Sequence, residues 1–325
     1  MVLHIYNPEH DIALGKNSDS FTPPKAARLT RLTFGHCPAF WAEDGDWVLV
    51  DDINVAESNL AKESRAHGKV RFVTFDELKT LTPDNLPERI EPWGWDRLLV
   101  RQLVRCNPLF ASLVPDQDRL ALIRRLSSRQ FVAETILPAM LGRSQKYIGE
   151  MTVCHSMDEI MAELMKNNGF IVLKSPWSCS GRGVRFVRER LSESESGWIR
   201  NIFEEQGCII AEPTFDKVID FAMEFRIDND GRLLKTGLNV FETNNGAYIR
   251  NLGADEKERT AILEKHIPAD LLEKLQSDIM AVLDDCLADR YIGPLGIDMM
   301  IVRTEENKTK VHPCVEMNLR RTMGQ

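Results

Sequence analysis

Residues 170–187 read FIVLKSPWSCSGRGVRFV, and this segment carries the strongest structural signal in the chain. The pattern predicts two strands joined by a loop of small residues, with Lys174 at the end of the first strand. Because Gly181 and Gly183 permit a close approach and a positive φ, the loop could turn its backbone N–H groups toward one phosphate. A glycine hairpin with a solvated lysine at its base explains the same residues, and the segment alone leaves both interpretations open.

Two predicted strands near the end of the chain, joined by a short polar link, carry a second pattern. They form a hairpin in which Asp298 falls roughly opposite residues 315–316, about 5 Å away across the ladder. Asn318 is two positions from Glu316 and shares its face. Two close carboxylates are costly to bury, but together with an amide oxygen they suit Mg²⁺. The alternative interpretation is the polar face of an edge hairpin.

Two weaker patterns lie between these segments. A strand over residues 208–212 ends at Glu212, before a proline, where a hinge could read the edge of a purine with its backbone. On the next strand Asp220, Glu224 and Arg226 alternate, which places them on one face. A salt-bridged surface is the simpler interpretation of these three residues, and neither pattern identifies a function by itself.

The composition argues against several classes of protein. A chain of 325 residues is long enough for two or three packed units, and 43% hydrophobic with 28% charged residues is typical of a globular protein. The net charge of −8 argues against nucleic-acid binding as the main function. Seven scattered cysteines without a C-x-x-C pair indicate neither a disulfide framework nor a zinc site. The sequence predicts no signal peptide and no membrane span, so we expect a cytoplasmic protein without a membrane partner.

The order of predicted elements favours α+β units over one doubly wound sheet. The first third predicts a small α/β domain, with strands at residues 2–6, 47–51 and 70–75 and a helix at 57–67. Residues 91–96 are rich in helix- and strand-breaking types and are predicted to be irregular. The expected domains are residues 1–112, 113–206 and 207–325.

The remaining elements are predicted from apolar periodicity, with Ser128 and Ser156 as helix caps. The predicted helices are 116–126, 128–141, 156–168, 256–264 and 269–290, and the predicted strands are 170–174, 184–188, 208–212, 221–227, 232–241, 295–303 and 310–318.

Taken together, the order of these motifs over residues 115–325 resembles that of the ATP-grasp superfamily. The sequence Glu316-Met317-Asn318-Leu319-Arg320 is similar to the Glu-x-Asn-x-Arg signature of that superfamily. The resemblance implies an ATP-grasp fold, in which two α+β subdomains grip ATP, preceded by a small α/β N-terminal domain. The opening NPEHD at residues 7–11 and the PWGW at residues 92–95 look like an uncharacterised bacterial branch.

The resemblance also implies a role for each matching residue. The nucleotide would be held by Arg129 and Lys174 at the phosphates, by Ser178, Ser180, Gly181 and Gly183 in the loop over the β- and γ-phosphates, by Glu212 at the adenine hinge and by Asp220 at the ribose. Mg²⁺ (or Mn²⁺) would be held by Asp298, Glu316 and Asn318. The catalytic residues Arg226 and Arg320 would face the transferred phosphoryl group.

The activity that the resemblance implies is an ATP-dependent ligase that joins a small-molecule or peptide carboxylate to an amine through an acyl-phosphate. Two alternatives are a phosphotransferase that acts on a hydroxyl and a non-catalytic ATP-binding module. A homodimer is also compatible with the resemblance. Because the chain ends seven residues after Asn318, we expect either a shortened chain or an incomplete floor of the site.

Four residues of the first domain stay without an assigned role. Glu9 and His10 could help to bind the acceptor amine or could be solvated loop residues. Trp93 and Trp95 could line a substrate pocket or fill a seam between domains.

Overall fold

The computed structural model describes residues 1–178, 183–244 and 247–322. The chain divides into two compact units, Met1–Arg124 and Arg125–Gln325. Both units combine helices with sheets, and the predicted mixed α/β and α+β class is confirmed.

The first unit is built on a parallel sheet whose strands are short. They are β1 (Val2–Ile5), β2 (Trp47–Leu49), β3 (Arg71–Val73) and β4 (Arg89–Pro92), in the order β3-β2-β1-β4. Successive side chains enter different cores: Leu49 packs with Leu3 and Phe110, whereas Val48 packs with Phe72. A parallel sheet is normally covered on both faces, which explains why the inner strand β2 is apolar throughout, whereas the edge strand β4 carries Arg89 and Glu91.

The first unit contains five α-helices, and a sixth, α6, crosses into the second unit at Arg125. They are α1 (His10–Lys16), α2 (Lys25–Phe34), α3 (Ile53–Leu60), α4 (Phe75–Leu78), α5 (Arg97–Cys106) and α6 (Gln117–Leu126).

Two predictions for this unit are wrong. The helix expected at residues 57–67 is α3, which begins earlier because the Asp52 carboxylate accepts from the Val55 N–H and caps it. Residues 61–67 are mainly polar and exposed, so further helix would bury little apolar surface. Residues 91–92, expected to be irregular, end β4. A proline fits there because β4 is an edge strand that pairs only with β1.

The second unit begins with helices and a small antiparallel sheet. Ser128 caps the predicted helix, which contains a π-helical turn: α7 (Arg129–Phe131), Val132–Ile136 and α8 (Leu137–Leu141). The sheet consists of β5 (Thr152–Cys154), β6 (Phe170–Lys174), β7 (Val184–Arg188) and β8 (Ile209–Pro213), in the order β5-β8-β6-β7.

Two helices pack on one face of this sheet. The predicted α9 (Met157–Lys166) is capped by Ser156, and its Ile160 joins the core formed by Ile171 and Leu173. The sequence analysis missed α10 (Glu193–Gln206), although Ser192 and Glu195 form its capping box.

A five-stranded antiparallel sheet completes the second unit. Its strands are β9 (Asp216–Ile227), β10 (Leu233–Asn244), β11 (Ala247–Leu252), β12 (Gly293–Arg303) and β13 (Thr309–Asn318), in the order β11-β10-β9-β12-β13. The helices are α11 (Glu256–Glu264) and α12 (Ala269–Leu287), which Pro268 separates as predicted. Among the described residues, no helix combines the length and the apolar character needed to cross a membrane.

The core of the first unit offers a test of the fold. Leu103 on α5 is fully buried, so Leu103→Ala should lower the free energy of unfolding by about 2–5 kcal/mol. Leu29 on α2 is 60% exposed, and Leu29→Ala should change it by no more than about 0.5 kcal/mol. Urea unfolding followed by tryptophan fluorescence reports mainly on this unit, which holds Trp41, Trp47, Trp93 and Trp95. Equal effects of the two substitutions would contradict this placement of α5.

Candidate functional site

A buried ion pair links Lys174 on β6 to Glu212 on β8. The register pairs Val172 with Glu212 and Lys174 with Ile210, so both charged side chains lie on the face opposite the apolar core. Lys174 Nζ lies 2.7 Å from Glu212 Oε2, while Glu212 Oε1 has no hydrogen-bond partner. Loss of hydration raises the pKa of Glu212, and the charges of Lys174 and Arg129 partly offset this.

Arg129 joins three parts of the second unit. It is the first residue of α7 and is only 5% exposed. Its guanidinium donates to the Ser175 carbonyl at 2.7 Å and to Ser178 Oγ at 2.9 Å. It also forms an ion pair with Glu316 Oε1 at 2.7 Å. One side chain therefore connects a helix start, the segment after β6 and strand β13.

The two ends of the predicted phosphate loop are tied together. The Ser175 N–H donates to the Gly183 carbonyl at 2.9 Å. A Cβ at residue 183 would lie 2.1 Å from Ser175 Oγ, so glycine is required for this approach. Ser180 and Gly181 lie outside the described residues. The described ends of the loop therefore lie beside Arg129, which binds Ser178.

Strands β9, β12 and β13 place acidic side chains on one face of the five-stranded sheet. Asp298 lies directly opposite Glu316, within the predicted range of residues 315–316, and the register of the hairpin shifts between Asp298 and Met300. Asn318 lies opposite Gly296 in the next row of that face, and Asn318 Nδ2 donates to Asp298 Oδ2 at 3.3 Å. The three predicted metal ligands are therefore neighbours.

Glu224 is a further member of this acidic face that the sequence analysis did not assign to the site. It lies on β9 opposite Gly296, is 1% exposed and accepts from Thr322 Oγ1 at 2.7 Å. A Cβ at Gly296 would approach Glu224 Oε2 to 2.7 Å. The alternation of Asp220, Glu224 and Arg226 predicted that they share a face of their strand. It did not predict that this strand pairs with β12, which is what brings Glu224 to the candidate site.

The acidic face disfavours the ionised form of Asp298. Loss of hydration, followed by repulsion from Glu316 and Glu224, raises the pKa of Asp298 to about 8, although its side chain keeps some contact with solvent. The charge of Arg320 and the hydrogen bond from Asn318 act in the opposite direction. A divalent cation would relieve the same repulsion, so the chemistry of these groups fits Mg²⁺.

The fit to a metal ion depends on a mixed ligand set. Within residues 1–178, 183–244 and 247–322, no three His, Cys, Asp or Glu side chains are grouped as metal ligands. The candidate set is instead the pair Asp298 and Glu316 with the amide of Asn318. Because Arg129 already binds Glu316 Oε1, a cation there would share this carboxylate with the guanidinium or displace it.

The remaining predicted residues occupy other positions on the same sheet. Asp220 Oδ2 accepts from Thr243 Oγ1 at 2.6 Å and from Lys217 Nζ at 2.5 Å. It lies about 13 Å along β9 from Glu224, at about 3.3 Å per residue. Arg226 lies opposite Pro294, one row beyond Glu224 on the same face. Asp220 is thus separate from the candidate metal ligands.

His312 on β13 is buried next to this charge cluster without hydrogen bonds. Neither ring nitrogen has a partner, and the ring packs against Phe215 with centroids 5.6 Å apart. Loss of hydration, with a smaller contribution from Lys174, lowers the pKa of His312 to about 3. The imidazole is therefore neutral in the folded protein at neutral pH.

Comparison with solved structures places this arrangement in a known fold. The chain is similar to N5-carboxyaminoimidazole synthetase from Staphylococcus aureus complexed with ADP, at a TM-score of 0.55 and 13% identity, over 99% of this chain and 71% of that one. It is also similar to the biotin carboxylase domain of the Hydrogenobacter thermophilus 2-oxoglutarate carboxylase, in complex with MgADP, ADP and bicarbonate. There the TM-score is 0.57 at 12% identity, over 99% of this chain and 64% of that one.

A third similar structure is the D-cycloserine synthetase DcsG, at a TM-score of 0.50 and 11% identity, over 100% of this chain and 93% of that one. No protein-family profile matches the sequence, and no curated protein matches it either. The similar structures are ATP-grasp enzymes, and at these identities the likeness shows the fold: the chain has the ATP-grasp fold.

The buried imidazole gives the site a measurable pH dependence. In the unfolded chain His312 binds a proton near pH 6.5, but in the folded chain it does so only near pH 3. This group therefore leaves the free energy of unfolding unchanged above pH 6.5 and lowers it as the pH falls below that value. One such group contributes at most about 1.4 kcal/mol per pH unit. His312→Leu should therefore raise the free energy of unfolding relative to the parent more at pH 5 than at pH 7.

Urea unfolding at both pH values measures this difference. Phe215→Leu changes the packing partner of the imidazole without removing a titratable group, so its effect should be equal at pH 5 and pH 7. If the effect of His312→Leu were also equal at the two pH values, the neutral buried imidazole would be refuted.

Proposed function

We propose that this chain, which has the ATP-grasp fold, is an ATP- and Mg²⁺-dependent ligase that joins a carboxylate to an amine through an acyl-phosphate. The proposal rests mainly on a cluster of interacting acidic and basic side chains in the second unit. Glu212 interacts electrostatically with Lys174, Arg129 and Glu316. Asp298 interacts in turn with Glu316, Glu224 and Arg320. Such an array suits a substrate that combines phosphates with a divalent cation.

The chemistry needs charge and position more than a protein nucleophile. A carboxylate is a poor electrophile at neutral pH. One of its oxygens attacks the γ-phosphorus of ATP, the bond to the β,γ-bridging oxygen breaks, and ADP leaves. The amine nitrogen then attacks the acyl carbon, the C–O bond to phosphate breaks, and the amine loses a proton. Alignment of the reactants and neutralisation of the phosphates supply most of the rate enhancement.

The cations of the site are assigned to the nucleotide phosphates. Lys174 would contact the α- and β-phosphates, and Arg129 would bind a phosphate when it exchanges its bond to Glu316. The loop that begins at Ser178 and returns at Gly183 would cover the β- and γ-phosphates, with Ser180 and Gly181 in its middle. The ADP in the similar synthetase and the MgADP in the biotin carboxylase domain support this assignment.

The carboxylates and the remaining arginines complete the proposed site. Asp298, Glu316 and Asn318 would hold Mg²⁺, with Glu224 as a neighbouring carboxylate that favours a cation. When bound, Mg²⁺ would neutralise charge on the phosphates. Arg226 and Arg320 are assigned to the transferred phosphoryl group, Glu212 to the adenine hinge and Asp220 to the ribose. The bicarbonate in the biotin carboxylase domain supports a carboxylate-type substrate.

The first test of this proposal is nucleotide binding. A ligand at ~100 times its Kd stabilises the native state by ~2.7 kcal/mol, so Mg-ATP should raise the Tm by several degrees. Lys174→Ala should abolish most of this rise. Lys174→Gln removes the charge but keeps a hydrogen-bond donor for Glu212, so it separates the loss of the charge from the loss of the hydrogen bond to Glu212. Lys166 is an exposed lysine of α9, and Lys166→Ala should keep the full rise. Equal rises in all four proteins would contradict the assigned phosphate site.

The second test is turnover. With ATP, a panel of carboxylates and hydroxylamine as the amine, an acyl-phosphate should be trapped as a hydroxamate while phosphate is released. Glu316→Gln should lower this rate at least about a hundredfold, because it removes a charge that the transition state needs. Glu305→Gln, in the exposed turn of the same hairpin, should have the parent rate. Parental turnover in Glu316→Gln would refute the metal assignment. Alcohol-dependent ADP formation without hydroxamate would identify a phosphotransferase instead.

A further inference from the structure

A direct ion pair joins a residue assigned to the nucleotide phosphates with a residue assigned to the metal ion. Arg129 Nη2 lies 2.7 Å from Glu316 Oε1. The guanidinium is almost fully buried, and the Glu316 side chain is 25% exposed. A charged hydrogen bond with little exposure to water is stronger than a surface ion pair. Each of the two groups therefore has a partner that a ligand must replace.

A phosphate reaches the guanidinium of Arg129 at the atom that already binds Glu316. Nη1 carries two N–H groups, and both have acceptors in the protein, the Ser175 carbonyl and Ser178 Oγ. Nε is buried and has no partner among the described residues. Nη2 remains, and it holds Glu316 Oε1. A phosphate oxygen at Nη2 would meet the Glu316 carboxylate, and the two negative charges would repel each other.

The same contact limits the binding of a cation at the carboxylates. Asp298 lies opposite Glu316 on the neighbouring strand, and Asn318 donates to Asp298. A divalent cation held by Asp298 and Glu316 would lie close to the guanidinium, because Glu316 Oε1 is 2.7 Å from Arg129 Nη2. Two positive charges would then compete for one carboxylate. Cation binding therefore requires that Glu316 weakens or loses its bond to Arg129.

Neither half of the ion pair can leave its partner without a replacement. Glu316 interacts electrostatically with the like-charged side chains of Glu212 and Asp298. Without the guanidinium, Glu316 would add an uncompensated negative charge to this acidic group, and such a charge is costly where it is partly buried. Without Glu316, the described hydrogen bonds of Arg129 would all be to neutral acceptors. An anion at Arg129 and a cation at Glu316 together remove both costs.

We propose that the Arg129–Glu316 ion pair couples the phosphate site to the cation site by exchange: a phosphate replaces Glu316 at Arg129, and the released Glu316 binds the divalent cation. The identification of this phosphate as part of ATP rests on the proposed ligase function. The exchange itself needs only an anion at Arg129 and a cation at Glu316. Because coupling between two ligands is reciprocal, each ligand strengthens the binding of the other.

The first experiment measures the cation side alone. It uses the full chain without nucleotide and Mn²⁺ as the probe, with the electron paramagnetic resonance signal of free Mn²⁺ as the readout. Arg129→Gln should bind Mn²⁺ at least about tenfold more tightly than the parent, because no guanidinium holds Glu316. Arg125→Gln removes the same charge from an exposed position of α6 and should bind Mn²⁺ like the parent. Equal affinity of the parent and Arg129→Gln would overturn the proposal.

A double variant shows whether the gain in Mn²⁺ affinity depends on Glu316. Arg129→Gln combined with Glu316→Gln should lose this gain, because the released carboxylate is absent. If the double variant kept the gain, the loss of positive charge alone would explain it, and the proposal would be overturned.

The second experiment measures the anion side by calorimetric titration of ADP in the presence of EDTA. Glu316→Gln should bind metal-free ADP at least about tenfold more tightly than the parent, because no carboxylate occupies Arg129. Glu224→Gln removes the same charge from the same face of the sheet, where Glu224 accepts from Thr322, and should change the affinity by less than about threefold. An equal gain in both variants would indicate general repulsion and overturn the proposal.

Saturating Mg²⁺ should reverse the order of the ADP affinities. The parent should then bind ADP more tightly than Glu316→Gln, because the released Glu316 holds the cation. A residue that only binds the metal would weaken ADP binding in Mg²⁺ without strengthening it in EDTA. The absence of this reversal would contradict the exchange.

Failure of this proposal and failure of the ligase proposal are distinguishable. Equal Mn²⁺ affinities of the parent and Arg129→Gln, with an intact Lys174-dependent response to Mg-ATP, would overturn the exchange alone. A Glu316-dependent gain in Mn²⁺ affinity without any binding of ADP or Mg-ATP would support the exchange and contradict the ligase. If Arg129→Gln does not fold, the comparison of Glu316→Gln with Glu224→Gln in ADP binding decides.

Discussion

The charge organisation of the second unit depends on the guanidinium of Arg129. It donates to the Ser175 carbonyl and to Ser178 Oγ, and it forms an ion pair with Glu316 on β13. Its terminal NH groups have these three acceptors, whereas its buried Nε has no partner among the described residues. These contacts fix the start of α7, the segment after β6 and β13 relative to one another. The same bonds tie the proposed phosphate contacts to the proposed metal ligands, because any anion that binds Arg129 competes with Glu316.

The acidic face of the five-stranded sheet concentrates negative charge that the proposed cation would offset. Glu224, Asp298 and Glu316 lie in adjacent strands at positions where the antiparallel ladder forces their side chains to one face. Loss of hydration, together with repulsion from Glu316 and Glu224, raises the pKa of Asp298 to about 8, so near neutral pH the carboxyl is largely protonated unless a cation is added. Apolar residues of similar size would stabilise the sheet better. The acidic residues therefore lower the stability of the sheet, and a bound cation would offset this cost.

The sequence predicted what depends on local periodicity. The hairpin of β12 and β13 is joined by a short turn, so the sequence placed Asp298 close to Glu316. The turn alone would pair Asp298 with Cys314, and a bulge between Asp298 and Met300, which the sequence did not predict, brings Asp298 opposite Glu316. The end of β6 at Lys174 also follows from local periodicity. The pairing of β9 with β12 was not predictable, because α11 and α12 lie between these strands and no turn fixes their register. Glu224 consequently escaped assignment, although its alternation with Asp220 was visible. The contact of Arg129 with Glu316 is also non-local.

The buried acids differ in whether both of their oxygens have hydrogen-bond donors. Asp96 and Asp278 have donors for both oxygens, the first from Leu99 and Asn7 and the second from Tyr147 and Lys274. Such groups hold elements together and gain little from a ligand. Glu212 and Glu9 each pair with one cation through one oxygen, and each keeps a second oxygen without a donor. Since a buried unsatisfied acceptor costs free energy in the folded protein, these two oxygens lower its stability, whereas the acids with two donors raise no such cost.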